Sequence, residues 1–208
     1  VAGTLGANAT FARSSSATIV DHEGVIRTVP SGAARFNGLR YVRNLVVHSE
    51  DGTSWTKYQN PGLSIDTEDY PQGTTQSVVI ETDTPYEGIQ LIGVEQGKVY
   101  AVSAFIKGTT GSELVWLNDG SGSKGFFSIT DEWKRYTQIF TLTNGASIVF
   151  VVKTSPAIVK FSGLMIEDVT GQTNQSPSEY VSVGVESSPY HGANVDGIKY
   201  FATENGNS

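Results

Sequence analysis

Between residues 44 and 168 apolar and polar side chains alternate in short runs with turn residues between them. A period of two sends successive side chains to opposite faces of a strand and suits no helix. The runs are 44–48, 76–81, 99–107, 113–118, 125–129, 133–142, 147–153, 157–161 and 164–167, and Ile89, Leu91 and Gly93 alternate as well. Within 99–107, Tyr100, Val102, Ala104 and Ile106 oppose Val99, Ala101, Ser103 and Phe105; within 133–142, Tyr136, Gln138, Phe140 and Leu142 share a face. Eight or nine short strands, separated by turn residues at spacings of roughly 8–15, predict an all-β sandwich. Gln96-Gly97 reads as a turn, Asn144-Gly145 as a hairpin, and 119–124 as a Gly/Ser-rich loop.

The flanks have another texture. Residues 1–43 lack long periodic runs, but 17–20 and 25–29 form a predicted hairpin about Asp21-His22-Glu23-Gly24. Too small for a core of its own, this stretch is expected to be an attachment arm. Residues 169–208 are polar and Gly/Asn-rich, with a short strand expected at 180–186, and read as an extended connector or oligomer contact. The 208 residues suit one sandwich, 44–168, with these two extensions.

Charge narrows the partners. The net charge of −7 comes with lysines and arginines scattered singly, a surface that repels nucleic-acid backbones and anionic membranes. With no cysteine, disulfides and thiolate metal sites are excluded. No apolar run approaches the roughly 18 residues that span a bilayer, and no signal peptide is expected at the start.

Several strings carry a family resemblance. Thr10-Phe11-Ala12-Arg13-Ser14-Ser15-Ser16-Ala17-Thr18, Gly24-Val25-Ile26-Arg27 and Ala34-Arg35-Phe36 resemble an opening common in bacteriophage virion proteins. So does Arg43-Asn44-Leu45-Val46-Val47-His48-Ser49-Glu50-Asp51 before Trp55-Thr56, a string that in the family enters a jelly roll similar to carbohydrate-binding modules. Glu132-Trp133-Lys134-Arg135-Tyr136-Thr137 and Gly163-Leu164-Met165-Ile166-Glu167-Asp168 are similar to late strands of that domain. Pro177-Ser178-Glu179-Tyr180-Val181-Ser182 and Asp196-Gly197-Ile198-Lys199-Tyr200-Phe201 are similar to the segment after it. The resemblance implies a jelly-roll β-sandwich in a head-spike, head-fibre, capsid-decoration or tail-associated protein on the virion surface. It further implies homo-oligomers, trimers above all, with other virion proteins and host-surface polysaccharide as partners and no catalysis. The alternative is a carbohydrate-binding module excised from a larger polysaccharide-degrading enzyme or tailspike depolymerase.

Sugar binding needs flat rings for pyranose faces with amides or carboxylates beside them. Trp55, Tyr58, Trp116, Asn118 and Asp119 are the candidates; Trp133, like any single tryptophan in a strand, also suits the core. The alternation about Trp116 leaves its face open, whereas Trp55 and Tyr58 fall in a polar stretch read as loop. No cofactor is called for; a structural calcium, which wants six to eight oxygens, has Glu50, Asp51, Glu167 and Asp168 as its candidate ligands. Adjacent acids in turns lack the cleft geometry of a glycosidase. Gly120-Ser121-Gly122-Ser123-Lys124-Gly125 fits a dinucleotide motif only in letters, because a strand pattern and not a helix follows it. His22, His48 and His191 stand apart with no nucleophile elbow near them.

Overall fold

The computed structural model describes residues 2–3, 12–20, 26–32, 34–35, 39–172, 174–183 and 198–202. Its strands are β1 (Ala2–Gly3), β2 (Ala17–Val20), β3 (Ile26–Val29), β4 (Ala34–Arg35), β5 (Leu39–Arg43), β6 (Thr56–Tyr58), β7 (Gly62–Asp66) and β8 (Ser77–Thr82). They continue as β9 (Glu87–Ile92), β10 (Val99–Gly108), β11 (Leu114–Asn118), β12 (Ser123–Ser128), β13 (Lys134–Thr141), β14 (Ser147–Val152), β15 (Ala157–Asp168) and β16 (Ile198–Ala202). The chain divides into two compact units, Val1–Val42 with Ile198–Ser208, and Arg43–Gly197.

In the first unit β2 and β3 pair antiparallel, Ala17 opposite Val29 and Val20 opposite Ile26, as the hairpin reading predicts. The turn residues 21–25 lie outside the described residues. β1 pairs with β4 and β5 with β16.

The second unit is a β-sandwich of two antiparallel five-stranded sheets, ordered β13-β10-β15-β8-β7 and β12-β11-β14-β9-β6. The chain passes from sheet to sheet at most of its connections, so the apolar alternates of every strand meet in the middle. Val78, Ile80, Tyr100, Val102, Ile106, Phe161, Leu164 and Ile166 from the first sheet face Ile89, Val115, Leu117, Ile148, Phe150 and Val152 from the second. Phe150 and Phe161 cross the layers edge to face, centroids 5.6 Å apart. Deleting either ring costs about 3–5 kcal/mol by the lost burial and the cavity left behind.

Four local expectations change. Residues 44–48 are not a strand: Asn44 is buried and binds the chain ends of the sandwich together, donating to Leu164 O (3.0 Å) and Val181 O (2.8 Å). The predicted strands 157–161 and 164–167 are one strand, β15, carried through a register shift by Gly163 in the left-handed region (φ 56°). Asn144-Gly145 turns the chain, but it links β13 of one sheet to β14 of the other and so closes no hairpin. The predicted short strand at 180–186 is not one over 180–183, and 184–186 lie outside the described residues. β6 and β7 lie in the stretch read as loop. Both are edge strands with mostly polar side chains, where the alternation signal is weak.

Candidate glycan-binding face

Because β6, β9, β14, β11 and β12 send one alternate set of side chains into the core, the other set must lie on the outer surface of that sheet. The register aligns this set across all five strands: Tyr58 opposite Gly88, Gly88 opposite Val151, Val151 opposite Trp116, and Trp116 opposite Phe126. Four strand gaps of about 4.8 Å make the row roughly 19 Å long. The next row runs Thr56, Gln90, Val149 and Asn118.

The middle of the first row is low. A Cβ at Gly88 would sit 1.9 Å from Phe150 O, so no side chain is tolerated there, and the neighbouring Val149 and Val151 are buried. Aromatic rings rise on both sides. Tyr58 stands 38% exposed, Phe126 57%, and Tyr86 42%. Tyr86 comes from the turn before β9, where φ of 72° and a bond from its N to Val152 O (2.9 Å) present the ring beside the sheet. Trp116 is the hub: its half-buried indole meets Phe126 edge-on at 4.8 Å and Tyr86 at 5.6 Å, and Lys153 Nζ lies 4.1 Å from its ring centre. The indole Nε1 is shut off from solvent and has no acceptor among the described residues. Contiguous exposed rings with amides at their edge can stack on the apolar faces of sugar rings and bond their hydroxyls.

Three of the five residues expected at a sugar site are therefore brought together: Tyr58, Trp116 and Asn118. The other two are not. Trp55 is buried in the core, and its Nε1 donates to His48 O (3.0 Å). Asp119, one residue past the end of β11, turns inward. Its Oδ1 accepts from Ser121 N and Oγ, its Oδ2 from Thr143 N and Oγ1, and Lys124 Nζ lies 3.2 Å away. Burial alone would raise its pKa, but the bonds from Ser121 and Thr143 hold it well below the usual carboxylate range. Sequence reasoning missed Tyr86, Phe126 and Lys153. Phe126 was available from the pair Phe126-Phe127, of which only Phe127 can face inward; Tyr86 sits in a turn and carries no periodic signal.

The outer surface of the other sheet is occupied by the chain itself. Lys160 Nζ bonds Asp66 and Asp69 (2.7 Å each), Lys107 Nζ bonds Asp69 (3.0 Å), and Trp133 Nε1 donates to Asp69 (2.8 Å), so Trp133 clips a turn and neither fills the core nor faces a ligand freely. Residues 174–183 lie across the rest. Glu167 accepts from Ser178 N (2.8 Å) and Oγ (2.5 Å), Arg135 donates to Ser178 O and Ser103 Oγ, and Tyr180 OH donates to Glu50 (2.8 Å).

These bonds also consume the expected calcium ligands. Glu50 Oε2 takes Thr75 N (2.8 Å) and Oγ1 (2.7 Å), Asp51 caps Thr53, and Asp168 takes Thr170 N (2.9 Å) with Lys98 at 3.5 Å. Among the described residues no group of three or more His, Asp or Glu could hold a metal, so the four carboxylates do not fit a calcium site. A cleft of about 430 Å³ at one end of the sandwich is lined by Glu81, Asp83, Thr110, Glu113, Thr154 and Ile158. Glu113 is buried there, yet N–H groups of Thr109, Thr110 and Ser112 point at its oxygens and its pKa lies below normal. That makes it an acceptor and not the proton donor glycoside cleavage requires.

No protein-family model matches this chain, and no curated protein matches it. Among solved structures it is similar to a xylan-binding domain from carbohydrate-binding module family 22, with a TM-score of 0.50 and 14% identity over 64% of this chain and 98% of that one. It is also similar to the CBM22-1–GH10 modules of Clostridium thermocellum endo-1,4-beta-D-xylanase 10B, complexed with xylohexaose (TM-score 0.47, 14% identity, 62% of this chain). A third match is the enzymatically active domain of bacteriophage CBA120 tailspike protein 4 (TM-score 0.43, 15% identity, 59% of this chain). The chain spans 28% and 21% of those last two chains. At this identity the first likeness shows the fold, a jelly-roll β-sandwich.

Proposed function

We propose that this chain is a non-catalytic surface module of a bacteriophage virion, on capsid or tail, whose jelly roll binds host-surface polysaccharide through the outer face of the β12-β11-β14-β9-β6 sheet. The observation that carries glycan binding is the cluster Tyr86, Trp116 and Phe126, continued across the sheet to Tyr58. Four aromatic rings on one outer face, three of them more than a third exposed, form the kind of apolar patch that marks a ligand or partner site. The virion role rests on the resemblance of the sequence strings about residues 10–55 and 177–201. With it come the proposals of a homo-oligomer, trimeric by preference, of attachment to other virion proteins by residues 1–43 and 169–208, and of the sandwich 44–168 as the glycan-binding domain. Repetition on one particle makes weak single sites effective.

The second reading is a carbohydrate-binding module excised from a larger polysaccharide-degrading enzyme or tailspike depolymerase. It is favoured by a fold that matches 98% of a xylan-binding domain. Both readings use the same face. Affinity electrophoresis on a panel of polysaccharides tests it: binding of the intact chain should fall at least about tenfold in Trp116→Ala, a loss of some 1.4 kcal/mol, with the melting temperature kept as a control for folding. Equal retardation of wild type and the folded variant would remove this face from the function.

A further inference from the structure

Lys57, Lys134 and Lys153 are the lysines of the sandwich with no carboxylate partner among the described residues, and of these Lys153 is the one whose ammonium lies against Trp116 on the aromatic face. Lys98, Lys107, Lys124 and Lys160 each have an aspartate within 3.5 Å. Lys153 is half-buried, immediately follows β14, and places its ammonium 4.1 Å from the Trp116 ring centre, with no carboxylate partner among the described residues. A cation without a carboxylate partner thus stands at the hub of the aromatic face in a protein whose net charge is −7.

We infer that Lys153 is a specificity-determining residue and that the face prefers an acidic glycan, a polymer of hexuronate units. This rests on the glycan-binding reading above and narrows it. A neutral sugar stacked on this cluster would leave the ammonium facing hydroxyls alone. A hexuronate stacked on the exposed Phe126 and Tyr86 rings sets its carboxylate against the ammonium. Charge-assisted bonds are shorter and stronger than neutral ones. The protein's overall negative charge does not defeat this, because at physiological ionic strength charges more than about 8 Å away are largely screened.

The test uses one polymer in two forms, polygalacturonate and the same material with its carboxylates reduced to neutral hydroxymethyl groups. Affinity electrophoresis of the full chain measures binding to each. Wild type should hold the acidic form about tenfold more tightly, and the preference should shrink as salt rises. Lys153→Gln should equalise the two forms, Lys153→Arg should keep the preference, and Trp116→Ala should weaken both. Equal binding of both forms by wild type, unchanged in Lys153→Gln, overturns the role of Lys153 while leaving the face itself in place. Failure to bind either form or any neutral polysaccharide overturns the face and the inference together.

Discussion

Asp119 illustrates how one residue can look like a ligand and serve as a rivet. Next to Asn118 at a polar loop, it has the chemistry of a hydroxyl-binding carboxylate. In the fold it gathers the 119–124 loop and Thr143 by four hydrogen bonds, plus the ammonium of Lys124. Its pKa is lowered in the folded state from an ordinary 3.8, so its stabilisation is fully present above about pH 4 and is lost as pH falls further. Asp119→Asn puts an amide where Thr143 N must donate, and should cost about 2 kcal/mol at neutral pH. Urea unfolding at pH 7 and pH 3 checks this: the gap between wild type and variant should narrow at the lower pH. Gly88 makes the opposite point, since the absence of a side chain there keeps the floor of the aromatic row low.

At the scale of elements, the segment 174–183 completes the sandwich. It has no strand pairing, and apart from a backbone bond from Ser49 N to Val183 O (3.1 Å) its attachment depends on side chains: Glu167 with Ser178, Arg135 with the Ser178 carbonyl, Asn44 with the Val181 carbonyl, and Tyr180 with Glu50 and Ser49. Burial pushes the Tyr180 phenol far above its ordinary value, so the hydroxyl stays protonated and donates at any pH at which the protein folds. Tyr180→Phe removes that donor from a buried Glu50 carboxylate, and thermal or urea unfolding should show a loss of about 2 kcal/mol. An unchanged midpoint would mean that the strap does not stabilise the sandwich. The strap also bears on which sheet can serve as a binding face, for it and the Asp66/Asp69–Lys107/Lys160 network occupy one, while Tyr58, Tyr86 and Phe126 stand exposed on the other.

For the whole molecule, the oligomer and metal questions separate cleanly. The candidate calcium ligands Glu50, Asp51, Glu167 and Asp168 are held by hydrogen bonds or ion pairs within the chain, so a chelator should leave the melting temperature unchanged; a fall would reveal a metal held elsewhere. Light scattering should give three times the 22.3-kDa chain mass if the chain ends assemble it as proposed, and a monomer at every concentration would shift weight to the excised-module reading.

The sequence alone determined the all-β class, most strand positions in the sandwich, the β2–β3 hairpin, and that Tyr100 shares a face with Ile106 and Tyr136 with Phe140. All of these follow from the local period of two, which each run states for itself. Tertiary structure decided which outward residues become neighbours. Trp116 was undecided between faces until the pairing of β11 with β12 and β14 placed it beside Phe126 and opposite Val151, and Tyr86 joined it from a turn with no pattern to read. Trp55, in a polar stretch, went inward because its ring fills space beside Gly52 and Val78, a fit that only the packed sandwich creates. Local alternation states that a side chain has two choices of face; the register between distant strands, set by packing across the whole core, chooses its company.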